Sequence, residues 1–337
     1  MNRVAIIILN WNCAEDSIEC ANSLLGQTVV PDIIFVDNNS SDDSVERIEE
    51  YIRQKGDSIT LIKNPVNSGF TGGINVGVRT ALKKEYEFIG TLNPDATADS
   101  RWVEYLTNEF TVDKSIGITT GILARTDKKT LDTSGDFYTT WGIPGPRGRD
   151  GLISDAPQQH EYIFGATGGG FIAQSEVFRQ VGLLDEVLFM YFEDVDFCFR
   201  AQLAGYKVRY TPGAIAYHKL SASTNKVPGL AVRQTFKNLP VVFLKNVPTK
   251  LMFTILPRFM LAYLLILGNS IVHGRGLPAL QGWLLSLWLI PHSLKKRHEI
   301  QSNKKVSAAY IASIILHDIP LEQTGLRNFR AFFTGKK

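Results

Sequence analysis

The chain has 337 residues, 44% of them hydrophobic, a size that allows one large domain with an appendage or two domains. The three cysteines (Cys13, Cys20 and Cys198) lack metal-ligand spacing, and their odd number argues against a disulfide framework, so we expect a reducing, cytoplasmic setting. The net charge of +3 is unevenly divided. Residues 1–218 hold 30 Asp or Glu against 19 Lys or Arg, whereas residues 219–298 hold 11 Lys or Arg and no acid. We therefore expect two parts, 1–220 and 221–337, with different surroundings.

The first part alternates segments typical of strands and helices. The apolar run RVAIIILNW predicts a buried first strand rather than a signal peptide. Three helical segments (SIECANSLLGQ, SVERIEEYIRQKG and GGINVGVRTALKK) then alternate with three further strands (DIIFVD, ITLIKNP and YEFIGTLNPD). This alternation predicts an α/β fold with a mostly parallel sheet, in which ligands bind beyond the carboxyl ends of the strands.

Polar residues follow the apolar runs, where those carboxyl ends are expected. A carboxylate at Asp37 suits a ribose hydroxyl or a base N–H, although DNNSSDD is equally typical of a turn. Gly69, Gly72 and Gly73 precede a predicted helix, where they indicate either an anion site or a plain glycine turn. Asp95 in LNPDA is either a turn residue or a ligand of a hard cation on a diphosphate, which needs few protein ligands.

The segment YFEDVDFCFR places Glu193, Asp194 and Asp196 among aromatic residues, where ionised acids are costly to bury. Either these acids carry chemistry or they begin a solvated helix, whose first turn favours negative charge. His218 lies 24 residues beyond Asp194, and by itself it fits a core or surface position as well as a metal site. The stretch GATGGGFIA is either a close-packed floor for a ligand or a simple turn or bulge.

In combination, these segments resemble the family 2 glycosyltransferases of GT-A fold, in particular the bacterial rhamnosyltransferase-like branch. Each motif is weak alone, but seven in the family's order are specific, and they cover residues 4 to about 223. The matching stretches are IIILNWN, VDNNSSDDS, NPVNSGFTGGIN, LNPDA, GATGGGFIA, YFEDVDFCFRAQLAGYKV and YHKLSAS. The resemblance implies a Rossmann-like nucleotide-sugar-binding domain in residues 1–220.

The resemblance also implies a donor and metal site. Asp37 would contact the nucleoside, and the full donor-binding set would be Asn10, Asp37, Asn67, Gly69, Asn75, Asn93 and Asp95. Asp95 would be the last acid of the D-x-D motif, which here reads Asn93-Pro94-Asp95 and so has one charged ligand fewer. Asp95 and His218 would hold Mg²⁺ or Mn²⁺ on the diphosphate of a dTDP- or UDP-linked sugar.

Asp194 matches the family's catalytic base, which accepts the acceptor's hydroxyl proton in an inverting transfer. Glu193, Asp196, Gly169 and Gly170 would line the acceptor side, with the alternative that Glu193 and Asp196 hold the segment through Arg200. The resemblance favours dTDP-L-rhamnose as donor, with UDP-galactofuranose as the alternative. It implies a lipid-linked saccharide of a cell-surface polysaccharide as acceptor.

The second part is basic and apolar. Two apolar runs of 14 residues, 259–272 and 277–290, are shorter than the ~20 residues that span a bilayer, and KKRH follows them. We expect helices lying in the interface of an anionic membrane, at its cytoplasmic face. The alternative is a buried helical core or an oligomer contact. Because the basic residues are spread among aliphatic ones, we expect no nucleic-acid partner.

Two other functions were weighed. A sugar-phosphate nucleotidyltransferase requires a basic, glycine-rich loop directly after the first strand, and LNWNCAEDS is neither basic nor glycine-rich. A non-enzymatic membrane scaffold with a decayed transferase domain is disfavoured because Asp95, Asp194 and His218 are all retained.

Overall fold

The computed structural model describes residues 3–56, 58–220 and 227–320, so the last three residues of the seventh motif, 221–223, lie outside the described ranges. The strands are β1 Val4–Asn10, β2 Asp32–Asp37, β3 Ile59–Lys63, β4 Phe88–Leu92, β5 Ala96–Ala98, β6 Ile116–Arg125, β7 Leu131–Thr133, β8 Asp136–Tyr138, β9 Pro144–Pro146, β10 Glu161–Ile163, β11 Gly170–Gln174 and β12 Lys207–His218. The helices are α1 Ala14–Leu25, α2 Ser44–Lys55, α3 Gly69–Lys83, α4 Trp102–Val112, α5 Ser175–Val181, α6 Glu193–Leu203, α7 Leu230–Asn246, α8 Thr249–Val272, α9 Gly276–Trp288, α10 Ile290–Ser302 and α11 Ala308–Ile314.

One large sheet organises the first part, in the order β10-β12-β6-β11-β4-β1-β2-β3. Strands β4, β1, β2 and β3 are parallel to one another, and β11 is antiparallel to its neighbours β4 and β6. Strand β12 runs parallel to β6, and its last residues pair with the short strand β5. The predicted α/β fold with a mostly parallel sheet and a helical C-terminal region is confirmed.

The sheet is covered on both faces, which explains why β1 is apolar at consecutive positions. Ala5 and Ile7 pack in one hydrophobic cluster, and Ile6 and Ile8 pack in the cluster on the other face. Helix α3 lies close to β1, because a Cβ on Gly73 would be 2.3 Å from the Leu9 Cδ1. The glycines expected in a loop before this helix therefore belong to its first turns, and Gly73 permits the close approach.

The composition boundary near residue 220 is not a boundary in the packing. A third hydrophobic cluster joins Val195 and Phe199 of α6 to Phe236 and Phe243 of α7 and Phe259 of α8. Helix α8 has 24 residues, because the apolar run 259–272 continues a helix that begins ten residues earlier. Among the described residues, this is the one helix long and apolar enough to cross a membrane by length and composition.

Candidate active site

Two of the residues predicted to bind the donor are the last residues of neighbouring strands, Asn10 of β1 and Asp37 of β2. They pair with each other in the parallel register. The Asn10 Nδ2 donates to Asp37 Oδ1 at 2.8 Å, and Ser40 donates to the same carboxylate from its Oγ at 2.6 Å and its backbone N at 3.0 Å. Asn10 is completely buried, and its Oδ1 accepts from Ser17 Oγ at 2.8 Å. The Asn10 side chain is thus engaged within the protein, where it orients Asp37, and its direct contact with the donor stays a prediction.

Asn67 lies at the start of α3, beside the same edge of the sheet. Its Oδ1 accepts from the backbone N of Gly69 and from Asn38 Nδ2, both at 2.9 Å, and the residue is exposed. Gly69 has φ +71°, and a Cβ there would be 2.5 Å from the ring and the carbonyl oxygen of Phe189. Only glycine fits this position, so the start of α3 touches the segment that precedes α6.

Asn75 faces another part of the molecule. Its Nδ2 donates to Leu184 O at 2.9 Å and to Glu186 Oε1 at 3.0 Å, while its Oδ1 accepts from Leu184 N at 3.0 Å. The residue is buried and borders a groove that also contains Asp185 and Lys245. Every polar atom of the Asn75 side chain thus fastens the 184–186 segment, and its expected place in the donor pocket stays a prediction.

The Asn93-Pro94-Asp95 segment and the end of β12 meet where Ala96 pairs with His218. His218 Nε2 lies 3.1 Å from Asp95 Oδ1 and 3.3 Å from Asn93 Nδ2, and its Nδ1 lies 3.0 Å from Asp132 Oδ2. Burial lowers the pKa of His218, but the hydrogen bonds to Asp132 and Asp95 outweigh it and raise the pKa to about 9. The imidazole is thus fixed between two carboxylates. Its Nε2 is directed at the Asn93–Asp95 segment that follows β4, here called the strand-end site.

These residues fit a divalent cation in a limited way. Within the described ranges, no group of three or more His, Cys, Asp or Glu is arranged to hold a metal ion. However, Asp95 and His218 bring a carboxylate oxygen and an imidazole nitrogen together, and the Asp132 carboxylate behind His218 is the kind of partner that orients metal-binding histidines. A cation that takes its other ligands from diphosphate and water needs no larger protein set.

A glycine turn joins this segment to the acids of α6. The backbone N of Gly168 donates to Asp194 Oδ2 at 2.7 Å, and the backbone N of Asn93 donates to Gly169 O at 3.0 Å. Thr91 Oγ1 donates to Gly168 O at 3.2 Å. Gly169 is buried in this turn and Gly170 begins β11. The predicted base and the strand-end site are therefore neighbours across a single turn.

Three carboxylates gather at the start of α6. Burial raises the pKa of Asp194, although hydrogen bonds from Gly168 and Val195 oppose the shift. Burial and the nearby Asp194 raise the pKa of Glu193 well above its usual range, and the same two causes raise that of Asp136 in β8. Among the described residues, Glu193 Oε2 is buried without a hydrogen-bond partner. The protonated form is therefore favoured at Glu193, Asp194 and Asp136.

Asp196 points away from those three carboxyl groups and is completely buried. It accepts from Arg200 Nε at 2.9 Å, Lys245 Nζ at 2.9 Å and Asn246 Nδ2 at 2.8 Å. Burial opposes its ionisation, but Lys245 and Arg200 outweigh it and hold the pKa of Asp196 well below its usual range. Of the two expected roles, these contacts match the one in which Asp196 holds the segment through Arg200, and acceptor contact stays an untested prediction.

Several residues of the site carried no separate sequence signal. Asp132 and Asp136 lie on three-residue strands in LDTSGDFY, a stretch that is typical of a loop. Asn238 and Lys245 are polar residues on the predominantly apolar helix α7, and their buried positions become evident only from the packing of α7 against α6. The one sequence signal that points to Asn238 and Lys245 is the presence of polar residues inside a predominantly apolar helix.

Comparisons with known proteins give the family and the fold of the chain. The family model described as Glycosyl transferase family 2 matches residues 5–182. The chain is 27% identical over 212 residues to the low-salt glycan biosynthesis hexosyltransferase Agl10 of Haloferax volcanii. The matched region covers 60% of this chain and 62% of that protein, so the chain spans less than two thirds of the relative's length.

Two solved structures share the fold. The structure of GalNAc-T7 with UDP, GalNAc and Mn²⁺ superposes with a TM-score of 0.57 at 16% identity, covering 71% of this chain and 47% of that one. The structure of S. aureus TarS 1-349 superposes with a TM-score of 0.56 at 14% identity, covering 89% of both chains. At these identities the likeness concerns the fold alone.

Proposed function

Because the chain belongs to glycosyl transferase family 2, we propose that it is an inverting glycosyltransferase that moves a sugar from a nucleotide-linked donor to a glycan acceptor. The observation that carries this proposal is the single turn between Asp194 and the Asn93–Asp95 segment. A base on the acceptor side and a strand-end site for the donor diphosphate are both needed for displacement at C1, and this turn keeps them adjacent.

In the proposed reaction, Asp194 accepts the proton of an acceptor hydroxyl as that oxygen forms its bond to C1. The bond between C1 and the donor diphosphate breaks, and the nucleoside diphosphate leaves. The two N–H groups that hold Asp194 orient its carboxylate, and burial makes it a stronger base than an exposed aspartate. Base catalysis of this kind contributes about 10²–10⁴-fold to the rate.

Asp37, oriented by Asn10 and Ser40, is proposed to contact the nucleoside, with Asn67 at the mouth of the same pocket. Asp95 and His218 are proposed to hold Mg²⁺ or Mn²⁺, and Asp132 keeps the His218 ring in place. When bound, a divalent cation stabilises the negative charge of the departing diphosphate. GalNAc-T7, which shares the fold, was solved with UDP and Mn²⁺, and we propose the same classes of nucleotide and metal for this chain.

A panel of nucleotide sugars tests the proposal. The full-length protein is mixed with each donor, an alkyl glycoside acceptor and Mn²⁺ or Mg²⁺, and release of the nucleoside diphosphate is measured. We expect acceptor-dependent release from at least one donor, and thermal stabilisation by that donor in the presence of metal. Absence of turnover and of stabilisation across the panel would contradict the proposal.

For the donor, we propose L-rhamnose from dTDP-L-rhamnose, on the strength of the motifs shared with the rhamnosyltransferase-like branch. UDP-galactofuranose is the second candidate. The hexosyltransferase relative supports a six-carbon sugar of either kind. The donor with the highest kcat/KM in the panel decides between them.

For the acceptor, we propose a lipid-linked saccharide presented at the cytoplasmic face of a membrane. The glycan biosynthesis relative supports a growing glycan as substrate. Helices α8 and α9 carry exposed apolar side chains, among them Phe253 and Trp288, each 79% exposed. One side of α8 packs on the protein through Phe259 and Tyr263, so a position in the plane of the interface suits this helix better than a span.

A further inference from the structure

The turn that leads into α6 has an unusual backbone. In residues 188–192, here called the aromatic turn, Phe189, Tyr191 and Phe192 have φ values of +63°, +68° and +66°. Large side chains rarely adopt this left-handed conformation, and it persists only where the surroundings impose it. Because Phe192 directly precedes Glu193 and Asp194, this conformation sets the direction in which the proposed base enters the cleft.

Helix α7 imposes the conformation from one side. The two hydrogens of Asn238 Nδ2 are shared among three carbonyl oxygens of the aromatic turn, those of Leu188 at 3.0 Å, Met190 at 2.8 Å and Tyr191 at 2.8 Å. Its neighbour Lys237 donates from Nζ to Val187 O at 2.7 Å and to Leu188 O at 3.2 Å. Asn238 is completely buried, so these carbonyls have a fixed partner in place of water.

Helix α3 holds the turn from the other side. The backbone N of Thr71 donates to Phe189 O at 3.1 Å, and Gly69 lies directly against the Phe189 ring. The aromatic turn is thus clamped between the helix that begins at the proposed donor pocket and a helix of the C-terminal part. A change on either side is transmitted to the backbone that carries Asp194.

Asn238 also has a feature that packing does not explain. Among the described residues, its Oδ1 is buried without a hydrogen-bond partner. Burying an unpaired acceptor is costly, and the contacts that offset this cost are those of the amide nitrogen. Its amide nitrogen, in contrast, serves three carbonyls that face one point from a strained turn.

We propose that Asn238, supported by Lys237, is a positioning residue for catalysis: it fixes the aromatic turn so that Asp194 faces the acceptor hydroxyl. The role rests on the proposed function of Asp194 as the base. It gives Lys237 and Asn238 of α7 a role in catalysis, whereas Val241 and other apolar residues of this helix pack in the third hydrophobic cluster. The chain beyond residue 227 is then needed for the chemical step as well as for the location of the enzyme.

The test compares Asn238→Ala with Lys237→Met and a control in the full-length protein. The control Val241→Ala removes buried atoms from the same helix and the same hydrophobic cluster, but valine has no side-chain donor. Turnover is measured with the donor that the wild type uses best and an alkyl glycoside. The binding of UDP or dTDP with Mn²⁺ is measured separately by calorimetry.

Displacement of a catalytic group by about 1 Å costs up to about 10²-fold, so we expect kcat of Asn238→Ala to fall roughly 10–100-fold with nucleotide affinity unchanged within about twofold. Lys237→Met should show a smaller loss of the same kind. Val241→Ala should keep its kcat even where its Tm falls as far as that of the Asn238 variant. If Asn238→Ala does not fold, Lys237→Met alone decides the comparison with Val241→Ala.

An active wild type with unchanged kcat in both variants would overturn the positioning role and leave the proposed function intact. Equal losses of kcat in Val241→Ala would overturn it as well, because stability alone would then explain the effect. A wild type without turnover on any donor would instead overturn the proposed function, and the positioning role with it.

Discussion

At the scale of single residues, Asp194 is the side chain on which the proposed chemistry depends. Asp194→Asn removes the proton acceptor but keeps the size of the side chain, so we expect transfer to fall by about 10²–10⁴-fold. Binding of UDP or dTDP with Mn²⁺ should change little, because we propose that Asp194, held by the backbone N of Gly168, faces the acceptor and not the nucleotide. Steady-state kinetics and calorimetry measure the two effects.

The matched control is Glu176→Gln, which neutralises a half-exposed acid on α5. It should transfer at the wild-type rate. A folded Asp194→Asn variant with near wild-type turnover would remove Asp194 from the mechanism.

Glu193 offers a prediction on stability. Burial and Asp194 raise its pKa well above the unfolded value of about 4.3, so the folded state loses stability as the pH rises above that value. Glu193→Gln removes this penalty, and we expect the Tm to rise at neutral pH, where a gain of ~1 kcal/mol corresponds to about 2–4 °C. Near pH 3 the difference should vanish, because Glu193 is then largely protonated in both states.

Thermal melts across the pH range check this expectation. A Tm of Glu193→Gln that is lower than that of the wild type at neutral pH, by a difference that shrinks as the pH falls below about 4, would show that Glu193 is stabilising as an anion. Since Glu193 is proposed to lie on the acceptor side, we also expect the more stable variant to be a poorer enzyme.

At the scale of elements, three strands together build the proposed metal site. The pairing of β5 with β12 brings Asp95 to His218, and β7 supplies Asp132 behind the imidazole. Loss of such a supporting carboxylate typically weakens metal binding by about 10–100-fold, and we expect this for Asp132→Asn. Titration with Mn²⁺ in the presence of UDP measures it.

Glu176→Gln is again the control, since Glu176 is a half-exposed acid that pairs with Arg179 on α5. Its Mn²⁺ affinity should equal that of the wild type. If Asp132→Asn binds Mn²⁺ normally, or if chelator-treated protein transfers at full rate, the metal site is wrongly placed.

The long elements could be predicted from the sequence, because β1–β4 and α1–α3 show clear apolar runs or helical spacing. Strands of three residues, such as β7 and β8, are too short to show a period. The opposite orientations of Asp194 and Asp196 also follow from the sequence once the helix is known, because residues two apart on a helix do not share a face. The partner of Asn75, 109 residues away, could not be predicted, because it depends on tertiary packing.

At the scale of the whole molecule, α8 and α9 bury one side in the third hydrophobic cluster, and among the described residues they also expose apolar side chains, which supports the proposed membrane contact or an oligomer contact. We expect binding to vesicles containing an anionic phospholipid, partly lost at high salt because salt screens the basic residues but not apolar insertion. Replacing Phe253 and Trp288 by Glu should abolish the salt-resistant part. Vesicle co-sedimentation measures both.

Val112→Glu is the control, because Val112 is 67% exposed on α4 and distant in sequence from the apolar helices. It should bind vesicles like the wild type. A wild type that ignores anionic vesicles at low salt and sediments as an oligomer would show that these helices form an interface between copies.

We propose that the protein transfers sugar with inversion and that the Asp194 carboxylate is the base. The most direct measurement is the anomeric configuration of the newly formed bond, determined by NMR on the product made with the preferred donor. We predict the configuration opposite to that of the donor, as a single displacement opposite the leaving diphosphate requires. A product that retains the donor's configuration would contradict the proposed mechanism, because Asp194 could not then act as the base of a direct displacement.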